Sequence, residues 1–116
     1  MPGLTLHFEA NEDADFHRLA AALGSQAGAL PEVTAADARP EELQSLIVPE
    51  ILLALTVASS LIENSAKTVD ALAHLVESIK KLATSLGLRK GRIEIGLRQV
   101  PIDTLTPDDL REWAED

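Results

Sequence analysis

The chain has 116 residues, which suits one domain over residues 1–116, and 46% of them are hydrophobic but only 3% aromatic, so its core must be aliphatic. Its formal net charge is −9, with a pI near 4.7, and a negative body repels phosphates, which disfavours nucleic acid as a partner. It has no cysteine, which excludes disulfides, thiol catalysis and cysteine-ligated zinc and fits a cytoplasmic location.

The N-terminal part predicts one strand and one short helix. LTLHFE, residues 4–9, alternates apolar and polar positions, which is typical of a half-buried strand. NEDADFHRLAAALG, residues 11–24, has one apolar helical face, with Asn11 or Asp13 as the cap and Gly24 as the stop. The small residues that follow, SQAGALPEVTAADARP, are typical of a loop, although EVTAA is also compatible with a short strand.

A long helix is predicted in the middle of the chain. PEELQSLIV, residues 40–48, predicts a helical turn that ends before Pro49, and from Pro49 an apolar stripe recurs at alternating spacings of four and three. We therefore expect one helix over about residues 49–86, with a break near Asn64 as the alternative. The stripe comprises Ile51, Leu55, Ala58, Ile62, Ser65, Val69, Leu72, Val76, Ile79, Ala83 and Leu86.

The C-terminal part predicts a hairpin and a last helix. RIEIG and QVPID both alternate, and Pro101 places the second strand at a sheet edge. In TLTPDDLREWAED, Thr106 is a cap and Asp109 stands at the capping-box position, while Leu110 and Trp113 would dock the helix on the core. Together these elements predict an α+β fold, with a small sheet of about three strands packed on one long apolar helix plus two short helices.

The apolar run from Leu46 to Ile62 raises the question of a membrane. It spans 17 residues and is interrupted by Pro49 and Glu50, whereas a spanning helix needs about 20 apolar residues. A membrane partner is therefore disfavoured, and burial in protein is the better account. A peripheral membrane-associated module that uses residues 46–62 remains the alternative.

The same helix predicts self-association. A helix of about 38 residues is roughly 57 Å long, and one small domain cannot cover it on every side. We expect a homo-oligomer formed through the stripe, with an interface at Ile51, Leu55, Ala58, Ile62, Val69, Leu72, Val76 and Ile79. A possible electrostatic contact is the basic segment from Lys80 to Arg98, which carries +5 against −14 elsewhere and includes Arg89, Lys90 and Arg92. The alternative for that segment is a solvated turn.

The sequence does not present a catalytic or metal-ligating constellation. His7, His17 and His74 do not stand at ligand spacings, and the adjacent Asp108 and Asp109 are explained by helix capping. We therefore predict no catalytic residues, no bound metal and no cofactor. The expected class is a non-enzymatic interaction or scaffold module.

The order of parts resembles one known family. The parts are a short first strand, the helix DADFHRLAAALG, a long apolar helix, the strands RIEIGLRQVPID and the closing LTPDDLREW, and their arrangement resembles the effector-associated constant component family of bacterial conflict systems. The resemblance implies a small non-enzymatic component that works beside a separate effector protein in bacterial defence. It brings no catalytic residues to this chain.

Overall fold

The computed structural model describes residues 3–10, 15–41, 50–58 and 65–115. These residues form five strands, three α-helices and one short 3₁₀ helix, Ile102–Thr104. In chain order the elements are β1 Gly3–Glu9, α1 Phe16–Gly28, β2 Val33–Glu41, β3 Glu50–Val57, α2 Ser65–Ser85, β4 Arg89–Ile95, β5 Arg98–Pro101 and α3 Pro107–Glu115. The strands form one antiparallel sheet in the order β2-β3-β1-β4-β5. The prediction of an α+β protein with about three strands and a long helix is therefore wrong in its sheet and in its helix.

The predicted helix over residues 49–86 is replaced by a strand and a shorter helix. In β3, Ile51, Leu53, Leu55 and Val57 are buried, and the residues between them are half-buried, which is the two-residue period of a strand. An apolar residue stands at nearly every position of this run, so it also satisfies the four-three spacing of a helix. On the helix-free face the side chains of β3, Leu52 among them, are half-buried between those of the neighbouring strands β2 and β1.

The second half of the predicted helix is confirmed as α2, although at shorter length. Leu72, Val76 and Ile79 are buried in the core and Val69 is half-buried beside it, so the spacing of the stripe is that of a real helix from Ser65 onward. The proposed break near Asn64 and residues 42–48 of the predicted helical turn lie outside the described residues. Pro40, which was to begin that turn, belongs to β2.

A strand occupies half of the segment that was predicted to be a loop. β2 covers nine residues, and α1 packs directly over it. A Cβ on Gly24 would stand 3.4 Å from the Cβ of Ala38, and one on Gly28 would stand 3.6 Å from that of Ala36. Small residues on both elements thus allow the helix to approach the strand closely. Asp15 caps α1 by accepting a hydrogen bond from the amide of Arg18, whereas the predicted caps, Asn11 and Asp13, lie outside the described residues.

The predicted hairpin and last helix are confirmed. β4 and β5 pair through the two-residue turn at Gly96 and Leu97, and β5 lies at the sheet edge. At the start of α3, Thr106 and Asp109 exchange hydrogen bonds as a capping box. The indole Nε1 of Trp113 donates to the carbonyl of Gly3 at 3.0 Å, so it ties α3 to the beginning of β1.

The helices and the sheet form two layers. The core lies between them and includes Leu4, Leu6 and Phe8 of β1, which face the helices. The segment β1–α1–β2–β3–α2–β4, with its strand order 2-3-1-4, has the split β-α-β topology of ferredoxin-like domains, and β5 and α3 extend it. In the part of the chain that is described, no helix is long and apolar enough to cross a membrane.

Candidate functional site

The free edge of β2 is the first candidate for a functional surface. Within the described ranges β3 pairs with one side of this strand and no strand pairs with the other. Its even-numbered residues, Ala36 and Ala38, turn toward α1, and its odd-numbered residues Asp37 and Arg39 turn to the helix-free side of the sheet. An edge strand has a row of backbone N–H and C=O groups without a ladder partner, which is a template for another strand.

Asp37 and Arg39 are two of the three charged residues of β2, which ends at Glu41. Both are exposed, and neither makes a side-chain hydrogen bond or an ion pair within the described part of the molecule. They stand two residues apart on the same face, next to Ala54 and Leu52 of β3. The middle of the edge therefore presents Asp37 and Arg39, one acid and one base, side by side to whatever pairs with it.

The helix-free face of the sheet carries two side-chain contacts between strands. His7 of the central strand is buried, at 4% exposure, and its Nε2 lies 2.6 Å from Oε1 of Glu94. Arg92 is the neighbour of His7 on β4, and its guanidinium donates to the carboxylate of Glu50. These contacts join β3, β1 and β4, although the Nε of Arg92 is buried without a hydrogen-bond partner among the described residues.

The three residues of the predicted electrostatic contact, Arg89, Lys90 and Arg92, have different surroundings in the structure. Arg92 is directed into the ion pair on the helix-free face, with its side chain 30% exposed, whereas Arg89 and Lys90 are exposed at the start of β4. Lys90 lies 3.9 Å from Glu9, and Arg89 makes no ion pair in the described residues. Of the three predicted cations, Arg89 and Lys90 thus lie together at the surface, whereas Arg92 is occupied by its ion pair with Glu50.

Arg89 and Lys90 stand at the mouth of a cavity of about 270 Å³. Its apolar floor includes Phe8, Leu88 and Ile102, all of them buried. Among the lining residues Lys80 of α2 lies 2.5 Å from Asp103, and the hydrogen bond to Asp103 raises the pKa of Lys80 above its ordinary value. That pair neutralises itself, so the net charge at the mouth comes from Arg89 and Lys90.

The backbone at this mouth is unusual. Lys90 has a φ of 52°, in the left-handed region that non-glycine residues rarely adopt. It lies where the pairing of β1 with β4 shifts register, between the His7–Arg92 and Glu9–Arg89 pairs. Next to it, a Cβ on Gly91 would stand 2.6 Å from atoms of both Phe8 and Ile102, so β4 passes close over the cavity floor at that point.

A second charged cluster holds α3 on the sheet. The guanidinium of Arg98 donates to Asp109 at 2.9 Å and to Glu112 at 2.6 Å. The hydrogen bond from Arg98, aided by the backbone hydrogen bond from Thr106, lowers the pKa of Asp109, and the same carboxylates raise the pKa of Arg98. This cluster links β5 to the helix and is structural.

The predicted interface residues lie mostly in the interior of the chain. Ile51 and Leu55 are buried in β3, while Leu72, Val76 and Ile79 are buried in α2. Ala58 and Val69 are half-buried, and Ile62 lies outside the described residues. The structure places these side chains in two different elements and does not assemble them as one outward-facing stripe.

The edge residues Asp37 and Arg39 were missed by the sequence analysis. AADARPE is short in the branched and aromatic residues that favour strands, and its alternation of alanine with charged residues was the only available indication. In the described residues no cluster of three or more potential metal ligands is found.

Comparisons with protein-family models, curated proteins and solved structures give no match to this chain. The resemblance to the effector-associated constant component family remains a prediction. The long apolar helix, which was one of its parts, is absent from the structure, because residues 50–57 form β3.

Proposed function

We propose that this chain is a non-enzymatic interaction module that self-associates through the free edge of β2. The observation that carries the proposal is the self-complementary placement of Asp37 and Arg39 on that edge. A second copy is the occupant, because it supplies both a strand of matching length and the opposite charges. Self-association through a long helix is not proposed, since that helix does not exist.

The register of the proposed pairing follows from charge. When two identical antiparallel strands pair about a two-fold axis normal to the sheet, opposite residues lie on the same face. With the axis at Ala38, Asp37 of each copy stands opposite Arg39 of the other, which makes two attractive cross-strand pairs. With the axis one residue earlier Asp37 would face itself, and with the axis one residue later Arg39 would.

The surroundings of the edge are compatible with this pairing. α1 lies over β2, and the residues from Gly24 to Gly28, GSQAG, are small or uncharged, so two copies of α1 could approach across the new pair without burying a charge. Joining two five-stranded sheets at β2 would make one continuous sheet and leave the mouth at Arg89 and Lys90 on the far side of each copy.

The wider role is proposed from the resemblance of the sequence. We place the module in the cytoplasm, beside a separate effector protein of a bacterial defence or conflict system. A gene for a protease, a nuclease or a nucleotide-binding switch next to that of this chain would support this part, and its consistent absence in related genomes would remove it. The peripheral-membrane alternative is not favoured, because β3 is paired on both sides and its release would open the core.

Light scattering after size exclusion tests the self-association. At micromolar concentration the wild-type chain should have twice its monomer mass of 12.4 kDa. Arg111→Gln, a change of an exposed base on α3 far from β2, serves as the matched control and should remain dimeric. A wild-type chain that stays monomeric at high micromolar concentration would remove the proposal.

A further inference from the structure

We infer that the cavity below Arg89 and Lys90 binds a small amphipathic carboxylate, with a short aliphatic body on the apolar floor and its charge at the mouth. This site is separate from the proposed edge of β2 and does not depend on it. The inference combines three independent features, namely the shape and lining of the cavity, the charge at its mouth and the strained backbone of Lys90.

The lining of the cavity defines the body of the ligand. Phe8, Leu88 and Ile102 give an apolar floor, and the volume of about 270 Å³ stands near the lower limit for small-molecule sites, which is about 300 Å³. A ligand that fits must be small and partly apolar. Gly91 is part of this floor, and even a methyl group there would collide with Phe8 and Ile102.

The mouth of the cavity defines the charge of the ligand. Lys80 is engaged by Asp103, and Lys90 has only the 3.9 Å contact with Glu9. Arg89 makes no ion pair in the described residues, although the chain as a whole carries nine more acidic than basic side chains. Glu9 stands opposite Arg89 in the pairing of β1 with β4, but the two make no ion pair in the described structure, so the exposed guanidinium presents a planar fork of donors that fits a carboxylate of the ligand.

The conformation of Lys90 supports a function at this place. A lysine in the left-handed region is less stable than a glycine there, and such strain clusters at ligand sites. Glycine at this position would remove the strain but also the cation. The presence of lysine here is explained if its ammonium group contributes to the binding of an anion at the mouth.

Calorimetric titration with four probes tests the inference on the full chain. Hexanoate has both the charge and the apolar body, hexanol has only the body, and acetate and inorganic phosphate have only the charge. We expect saturable binding of hexanoate at millimolar concentration, and much weaker binding of the other three. Arg89→Gln should weaken hexanoate binding by about tenfold, whereas Arg111→Gln, an exposed arginine on α3, should leave it unchanged.

The other outcomes overturn the inference. Equal binding of hexanol and hexanoate would show that the cavity binds apolar molecules without regard to charge. Equal binding of phosphate and hexanoate would show an inorganic anion site. Failure of hexanoate to saturate, or an unchanged affinity in Arg89→Gln whose circular dichroism matches the wild type, would also remove it. Lys90→Gly guards against misfolding as an explanation, because it should melt at a higher temperature than the wild type and still bind hexanoate less tightly.

Discussion

Reversing one charge on the β2 edge should disrupt the dimer, and reversing both should restore it. Asp37→Arg places two arginines opposite each other at each of the two cross-strand pairs. Arg39→Asp does the same with two aspartates. The double variant Asp37→Arg/Arg39→Asp exchanges the partners but restores two attractive pairs, so that the same strand and the same register are kept.

The size of the effect follows from the two-fold symmetry. A cross-strand pair of opposite charges contributes about 0.2–1 kcal/mol, and a like-charged pair destabilises by a similar amount. One substitution changes two pairs, so dimerisation should lose about 1–4 kcal/mol, or roughly fivefold to several-hundredfold in Kd. Because Asp37 and Arg39 are exposed, the lower part of that range applies, and the loss should shrink at high salt.

Sedimentation equilibrium at low and at high salt measures the dimer dissociation constants of the wild type and of the three variants. We expect both single variants to dissociate more readily than the wild type and the double variant to approach it. Circular dichroism of each variant controls for folding, since both side chains are exposed and make no ion pair in the described structure. If the double variant dissociates as readily as the single ones, Asp37 does not face Arg39 of the other copy, and the reasoning is refuted.

Three further predictions concern the rest of the chain. Lys90→Gly should raise Tm by a few degrees by relieving about 1 kcal/mol of backbone strain. Lys90→Ala keeps a side chain at the strained φ and should not raise Tm. Equal Tm values for the two variants would contradict the presence of strain at residue 90. Trp113→Ala should lower the free energy of unfolding by an amount near the lower end of about 3–5 kcal/mol, because Trp113 is half-buried, and Trp113→Phe should lower it less. An unchanged Tm in thermal melts of Trp113→Ala would mean that α3 is a free tail. The pKa of Asp109 is lowered in the fold, so its contribution to the free energy of unfolding is present above the unfolded pKa and is lost as pH falls through the folded pKa. Arg98→Gln removes the main cause of this shift and should flatten the acid end of the Tm-against-pH curve. Parallel curves for the variant and the wild type would refute this role of Arg98.

The sequence was informative where one period of hydrophobicity excluded the other. β1, the β4–β5 hairpin and α3 were predicted because LTLHFE and RIEIG alternate cleanly and because Thr106, Pro107 and Asp109 are specific to a helix start. The run EILLALTV was misread because apolar residues at every position fit a helix and a central strand equally well. Only its pairing on both sides, which is a long-range fact, distinguishes the two.

The candidate sites depended on tertiary structure in a different way. The strand character of AADARPE comes from close packing of Gly24 and Gly28 of α1 on its alanines, which no local propensity contains. The predicted basic contact stays a prediction, and the sequence could not separate the exposed Arg89 and Lys90 from Arg92, whose partner Glu50 lies 42 residues away in the chain. Charge counts locate a basic segment, whereas only the register decides which cations remain available.

Disulfide trapping between two single-cysteine variants is the most direct test of the self-association at β2. The chain has no cysteine of its own, so Asp37→Cys and Arg39→Cys each introduce one thiol. In the proposed register residues 37 and 39 of different copies are directly opposite, with Cα atoms about 4.5–5.5 Å apart, within the range of a disulfide. Mixing the two variants under mild oxidation should give the 37–39 heterodimer faster than either homodimer, as read by mass spectrometry. Preferential 37–37 or 39–39 bonds, or no cross-linking above that of a surface cysteine placed at Arg111, would contradict the account.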